Sequence, residues 1–159
     1  MIIESTIWWA KVLKAVPNYN KDGEEFTVDV TVTPAIREQL REAGIEHKIQ
    51  PAVNSRGRAH VSEGEYINIT IPTMGGKTAL RPPQVKDRFG NDWPKDALIG
   101  NGSTAEIMFE VRSGVLRNGD AWAKPSLRAV KILDHVPVEP KEDFTYDVAP
   151  ADVTQEAWD

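Results

Sequence analysis

The chain contains no cysteine. That removes disulfides, thiol nucleophiles and every cysteine-based metal site at once. Histidine is almost as scarce. His47, His60 and His135 are the whole set, and no two of them stand at the HxH or HExxH spacing that a metal centre uses. No apolar run approaches the roughly 20 residues that a bilayer-crossing helix needs. The opening MIIESTIWWAKV has no basic stretch ahead of a long apolar one, so no signal peptide is expected either. There is no βαβ alternation and no internal repeat. These absences leave the expectation of a cytoplasmic protein with no membrane attachment, metal or cofactor.

What is present is ordinary in bulk and uneven in detail. A chain of 159 residues, 40% hydrophobic and 27% charged, is long enough for one domain with a real core. Its net charge of -5 is not shared along it. Residues 139–159 hold one cation, Lys141, against seven carboxylates: Glu139, Glu142, Asp143, Asp147, Asp152, Glu156 and Asp159. Taking these from the totals of 19 basic and 24 acidic residues leaves 18 and 17 in residues 1–138. The body is therefore near neutral, and an acidic block follows it. The expected division is a folded domain over 1–138 and an interaction tail over 139–159.

The body reads as β. Residues 3–16 form a long first strand that is apolar on both faces: Trp8, Ala10 and Val12 on one, Ile7, Trp9 and Leu13 on the other. Strict alternation of that kind predicts a bent strand serving two sheets, with one of the adjacent indoles inside. In FTVDVTVT, Phe26, Val28, Val30 and Val32 point inward. TPAIREQLREAG is the one helix, with Thr33 as N-cap, Pro34 in the first turn and Gly44 just past the end. Ile36 and Leu40 give it a buried stripe, enough to plug a barrel end. Further strands are expected at 45–53, 66–71, 104–111 and 126–136, with a hairpin turn at Asn118-Gly119. Long loops carry Arg56, Arg58 and His60, then Lys77 and Arg81. The sum is an all-β barrel or sandwich of about six strands with one short helix.

The stretch Arg81–Val111 is the most informative. Pro82, Pro83 and Pro94 forbid a helix there, and Lys86, Arg88, Phe89, Trp93 and Lys95 make a basic loop that carries rings. The following GNGS (100–103) has no GKS or GKT and precedes a strand, so it fits neither a phosphate cradle nor a nucleophile elbow. A tight turn built on glycines with positive φ suits it better. Trp93 and Trp122 each have a lysine two residues on, Lys95 and Lys124. A ring beside a cation is what single-stranded nucleic acid requires, since a base stacks on one while a phosphate meets the other. Capping of the barrel ends is the competing role for both rings. No basic helical stripe suggests a reader of the major groove.

The order of segments resembles a known family. An early A-K-V strand precedes F-T-V-D-V-T-V and T-P-x-I-R-E-Q-L-x-E-A-G. P-P-Q-V-K-D, L-I-G-N-G-S and A-V-K-I-L-D come after them. Over most of residues 8–136 this is similar to the single-stranded DNA-binding proteins of tailed bacteriophages, in the plan of the short-tailed-phage replication protein. The resemblance implies an OB-fold barrel that coats single strands during replication, recombination and repair in the host cytoplasm, without catalysis. It also implies an acidic tail ending in an aromatic, a slot that Ala157-Trp158-Asp159 fills. The candidate DNA-contacting residues are Lys11, Lys14, Arg56, Arg58, Lys77, Arg81, Lys86, Arg88, Trp93, Lys95, Trp122 and Lys124. In the tail, Asp152, Glu156, Trp158 and Asp159 are the candidates for meeting a polymerase, helicase or primase, and homodimerisation is left open. Two other classes compete: a β-sandwich virion assembly protein, and a small hydrolase using Ser103.

Overall fold

The computed structural model describes residues 1–17, 23–51, 64–75 and 77–138. Five long strands carry the architecture: β1 (Ile2–Pro17), β2 (Glu24–Val32), β4 (Glu65–Pro72), β8 (Thr104–Val115) and β9 (Ala121–Asp134). Four short ones decorate it: β3 (Ile49–Pro51), β5 (Met74–Gly75), β6 (Thr78–Ala79) and β7 (Gln84–Lys86). β1 runs antiparallel to β2 on one side and to β8 on the other. β2 pairs with β4, and β8 with β9. A parallel contact between Thr70 and Ser126 closes β4 onto β9. The result is the closed five-stranded barrel of an OB-fold, an arrangement that removes exposed edges by joining them.

The inward positions of each strand supply the core. Ile7, Val28, Val30, Ile69, Ile107 and Phe109 are wholly buried, and each such side chain contributes about 1.5–3 kcal/mol relative to exposure. The one α-helix among the described residues, α1 (Pro34–Glu42), lies between the second and third barrel strands in the chain. Thr33 caps it by accepting from the Ile36 N–H, and Pro34 occupies its first turn. Gly44 follows with a φ of +81°. Ile36 and Leu40 enter the core from it, and Arg37 ties it to Glu46 and Glu65.

Three expectations need correcting. The strand foreseen over 45–53 is mostly something else: Ile45 is buried in the core, Glu46–Lys48 form a 3-10 turn, and only Ile49–Pro51 pair with β4. Core burial of Ile45 directly after the helix leaves too little chain to straighten. Residues 52–53 lie outside the described residues. The segment at 82–87 is more ordered than a loop, because Gln84–Lys86 lie parallel to Ala129–Lys131 of β9.

The third correction concerns β1. Neither indole enters the core. Between the pairs Trp8↔Asp29 and Lys11↔Thr27, β1 advances three residues while β2 advances two. Trp9 sits at this bulge with φ +49°, a left-handed conformation that bulky residues rarely adopt. The extra residue reverses the alternation, so Ile3 and Ile7 point inward before it and Val12 after it. Trp8 is left half-buried on the outer face, its Nε1 donating to Thr31 Oγ1 at 2.8 Å. Trp9 is 48% exposed.

Candidate nucleic-acid interface

In OB barrels the outer face of the second and third strands, together with the loops at its ends, takes oligonucleotides. Here that face belongs to β2 and β4. Their outward residues form a polar lattice: Asn68 Nδ2 donates to Thr27 Oγ1 at 2.7 Å and to Asp29 Oδ1 at 2.8 Å. Trp8 flanks it from β1 and Tyr66 from β4, with the Tyr66 hydroxyl donating to Gln50 Oε1 at 3.2 Å. Burial first, and the Asp29 charge second, push the Tyr66 phenol above its usual range.

Beyond the barrel, β8 and β9 continue as a two-stranded arm. Its tip is a tight turn closed by the Leu116 N–H to Asp120 C=O bond at 2.8 Å, with Gly119 at φ +90°. This turn sets Gly114 opposite Trp122 and Arg112 opposite Lys124. The register matters. A Cβ at Gly114 would lie 2.8 Å from the Trp122 ring, so only glycine lets the indole lie across the neighbouring strand. Lys124 Nζ stands 5.8 Å from the same ring, within the range of a cation–π contact. Arg112 shares that face, because residues two apart in a strand point the same way. A half-buried indole thereby shares one face of the ribbon with a neighbouring pair of cations. Glu25, on the adjoining end of β2, is the nearby opposite charge: burial raises its carboxyl above the usual range while Lys124 lowers it.

In the basic loop after β7 the two rings take different positions. Trp93 packs partly against the core, gives its Nε1 proton to Ala97 C=O at 2.7 Å and meets His135 edge-on at 4.9 Å. It caps the barrel. Lys86 is paired with Asp92. The exposed ring of this loop is Phe89, 82% accessible, with the Arg88 guanidinium 5.9 Å from its centroid. Asp87 fixes the turn by accepting the N–H groups of Phe89 and Asn91 at 2.8 and 2.9 Å, which holds its carboxyl below the usual range. The Asn91 contact is the larger cause.

Three other candidates converge. Lys11, Lys14 and Lys95 line one depression beside β1 together with Trp9. Lys77 and Arg81 are exposed on the segment between β4 and β7. Arg56 and Arg58, and the tail residues Asp152, Glu156, Trp158 and Asp159, lie outside the described residues. Sequence reasoning passed over Arg112, which hairpin register could have found; it offered one of Trp8 and Trp9 to a binding face, and the bulge that exposes Trp9 carries no local signal of which.

The GNGS turn is structural. Gly102 has φ +93°, but Gly100 does not share that conformation; it is needed because a Cβ there would fall 2.2 Å from Val136 O. Ser103 is fully buried, donates Oγ–H to Gly100 C=O at 2.8 Å and accepts the Val136 N–H at 2.9 Å. A nucleophile needs an accessible oxygen, and this one is occupied in closing the turn. Among the described residues no three His, Asp or Glu side chains gather as a metal site would require. None of the described helices is long and apolar enough to cross a membrane.

Topology and surface together define an OB-type barrel with an open polar face and a cationic, ring-bearing arm. Solved structures share the fold. That of gp2.5, a single-stranded DNA-binding protein encoded by bacteriophage T7, superposes with a TM-score of 0.58 at 16% identity, covering 97% of this chain and 98% of that one. The single-stranded DNA-binding protein of bacteriophage Enc34, in complex with single-stranded DNA, gives 0.61 at 10% identity over 87% and 89%. A C-terminal truncation of the Enc34 protein gives 0.60 at 9% identity over 86% and 88%. No protein-family model and no curated protein sequence matches the chain.

Proposed function

We propose that this protein is a non-enzymatic, sequence-independent single-stranded DNA-binding protein acting in phage DNA replication, recombination and repair, in the host cytoplasm. One observation carries the reading: Trp122 lies across Gly114 on the two-stranded arm of an OB-type barrel, with Lys124 5.8 Å from its ring and the Arg112–Lys124 pair next to it on the same face. A base stacking on such a ring contributes about 1–3 kcal/mol while phosphates meet the cations, and any base will serve because each has a π-face. The fold shared with two phage proteins described as binding single-stranded DNA supports it. Counterion release makes the affinity fall with salt.

The tail completes the proposal. Residues 139–159 carry a net charge of -6 from one cation and seven carboxylates, and they follow Val138, which lines the lysine depression. In the free protein the tail shields the cationic surface. Once a strand displaces it, Asp152, Glu156, Trp158 and Asp159 are available to a replication partner such as a polymerase, helicase or primase. The test is fluorescence anisotropy with a labelled dT oligomer of about thirty nucleotides, alongside a duplex of the same length. Tight, salt-sensitive binding of the single strand with weak duplex binding is expected. Equal affinity for both, or none for either, would overturn the reading.

A further inference from the structure

We infer that the depression beside β1 is a second nucleotide subsite, in which a base of the bound strand lies on Trp9 and its phosphates meet Lys11, Lys14 and Lys95. This rests on the single-strand reading above and extends it to a surface away from the arm and from the β2–β4 face. The depression encloses about 730 Å³. It arises because β8 pairs with β1 only from Ile2 to Thr6. Beyond that point the far edge of β1 meets no strand among the described residues, and the turn at 98–101 and residues 136–138 form the opposite wall. Much of its lining is apolar, including Leu13 and Val136, and Leu98 is 61% exposed.

Three features point to a nucleotide. Among the described residues the lining includes three lysines and no carboxylate, in a chain whose net charge is -5; a polyanion is the complement of such a rim. Trp9 is mounted at the bulge with φ +49°, and its N–H is anchored by Asn101 Oδ1 at 2.6 Å. The backbone adopts a conformation that indoles avoid, and the ring it carries stays half in solvent. Finally, Lys11 belongs to two surfaces. It lies opposite Thr27 on the outer face and also lines the depression, so a strand leaving the β2–β4 face can cross β1 at Lys11 and arrive at Trp9.

The test compares full-length variants by anisotropy with a labelled dT oligomer across a salt series. Trp9→Asn removes the ring with a residue that tolerates left-handed backbone. The triple variant Lys11→Gln, Lys14→Gln, Lys95→Gln changes only exposed cations. Trp9→Asn is expected to weaken binding about tenfold, as loss of one stacked base would. The triple variant should flatten the slope of log affinity against log salt by about 2, at roughly 0.7 per lost phosphate contact, while melting like the parent. If Trp9→Asn fails to fold, the salt slope of the triple variant decides alone. A parental slope in the triple variant, with Trp122→Ala still weakening binding, would overturn the subsite and leave the proposed function standing. Tighter binding by the triple variant would overturn it too, because the depression would then serve the acidic tail alone and not the DNA strand. A parent chain that binds no dT at all would bring down both readings.

Discussion

Replacing Ser103 with alanine separates two accounts of the GNGS turn. In the structure the hydroxyl is buried and makes two bonds, to Gly100 C=O and from the Val136 N–H. The Gly100 carbonyl keeps a second donor in the Ser103 N–H at 3.3 Å, so the Val136 N–H is the group that loses its acceptor. A buried donor left unsatisfied costs about 1–3 kcal/mol. Val136 is itself accessible at its side chain, which places the expected loss near the lower half of that range. For a domain of this size that is a fall in melting temperature of roughly 3–8 °C. Urea unfolding followed by circular dichroism reads it as a lower midpoint with an unchanged slope. Affinity for dT, measured well below the transition, should match the parent. A variant with parental stability would refute the bonding account, and parental stability with lost activity on any substrate would revive a catalytic serine.

Three further outcomes follow from named groups. Asp87 has a depressed carboxyl pKa in the fold, so its hold on the turn is complete above the ordinary carboxylate value of about 3.9 and is lost as pH falls through the lower folded value. The Phe89 and Asn91 amide resonances should therefore titrate below that ordinary value, and a midpoint at or above it would contradict the turn geometry. Glu25→Gln removes the carboxylate facing Lys124; affinity for dT should rise at low salt, the gain fading as salt screens it, and a fall in affinity would be the wrong sign. Deleting residues 139–159 should raise low-salt affinity for dT, and no change on gel shift would rule out the shielding role of the tail.

The elements that local chemistry dictates were legible in the sequence. Thr33, Pro34 and Gly44 bound the helix because capping, fixed φ and positive φ are properties of single residues. Phe26 to Val32 declared its inward face because alternation on β2 is unbroken. β1 was not legible in the same way. One extra residue at Trp9 reverses the alternation that follows it, so that Val12 points inward, and nothing in IWWAKV marks the place. Ile45 was likewise drawn into the core by tertiary packing against its strand-like pattern. The candidate cations were identified as residues but not as groups. Lys95 is far in the chain from Lys11 and Lys14 and joins them only because β1 outruns β8. Trp93 and Trp122 looked alike, each followed by a lysine, yet one donates to Ala97 and caps the barrel while the other lies across Gly114 on the arm. The difference is hairpin register and the space opposite each ring, neither of which a lysine two residues on can report.

The central claim is that a base reaches a tryptophan of this barrel while phosphates meet its cations. The most direct measurement is intrinsic tryptophan fluorescence titrated with poly-dT at low and at moderate salt. The account predicts strong quenching at low salt that fades as salt rises. No quenching, together with no gel shift from either the full-length chain or the chain lacking residues 139–159, would contradict it.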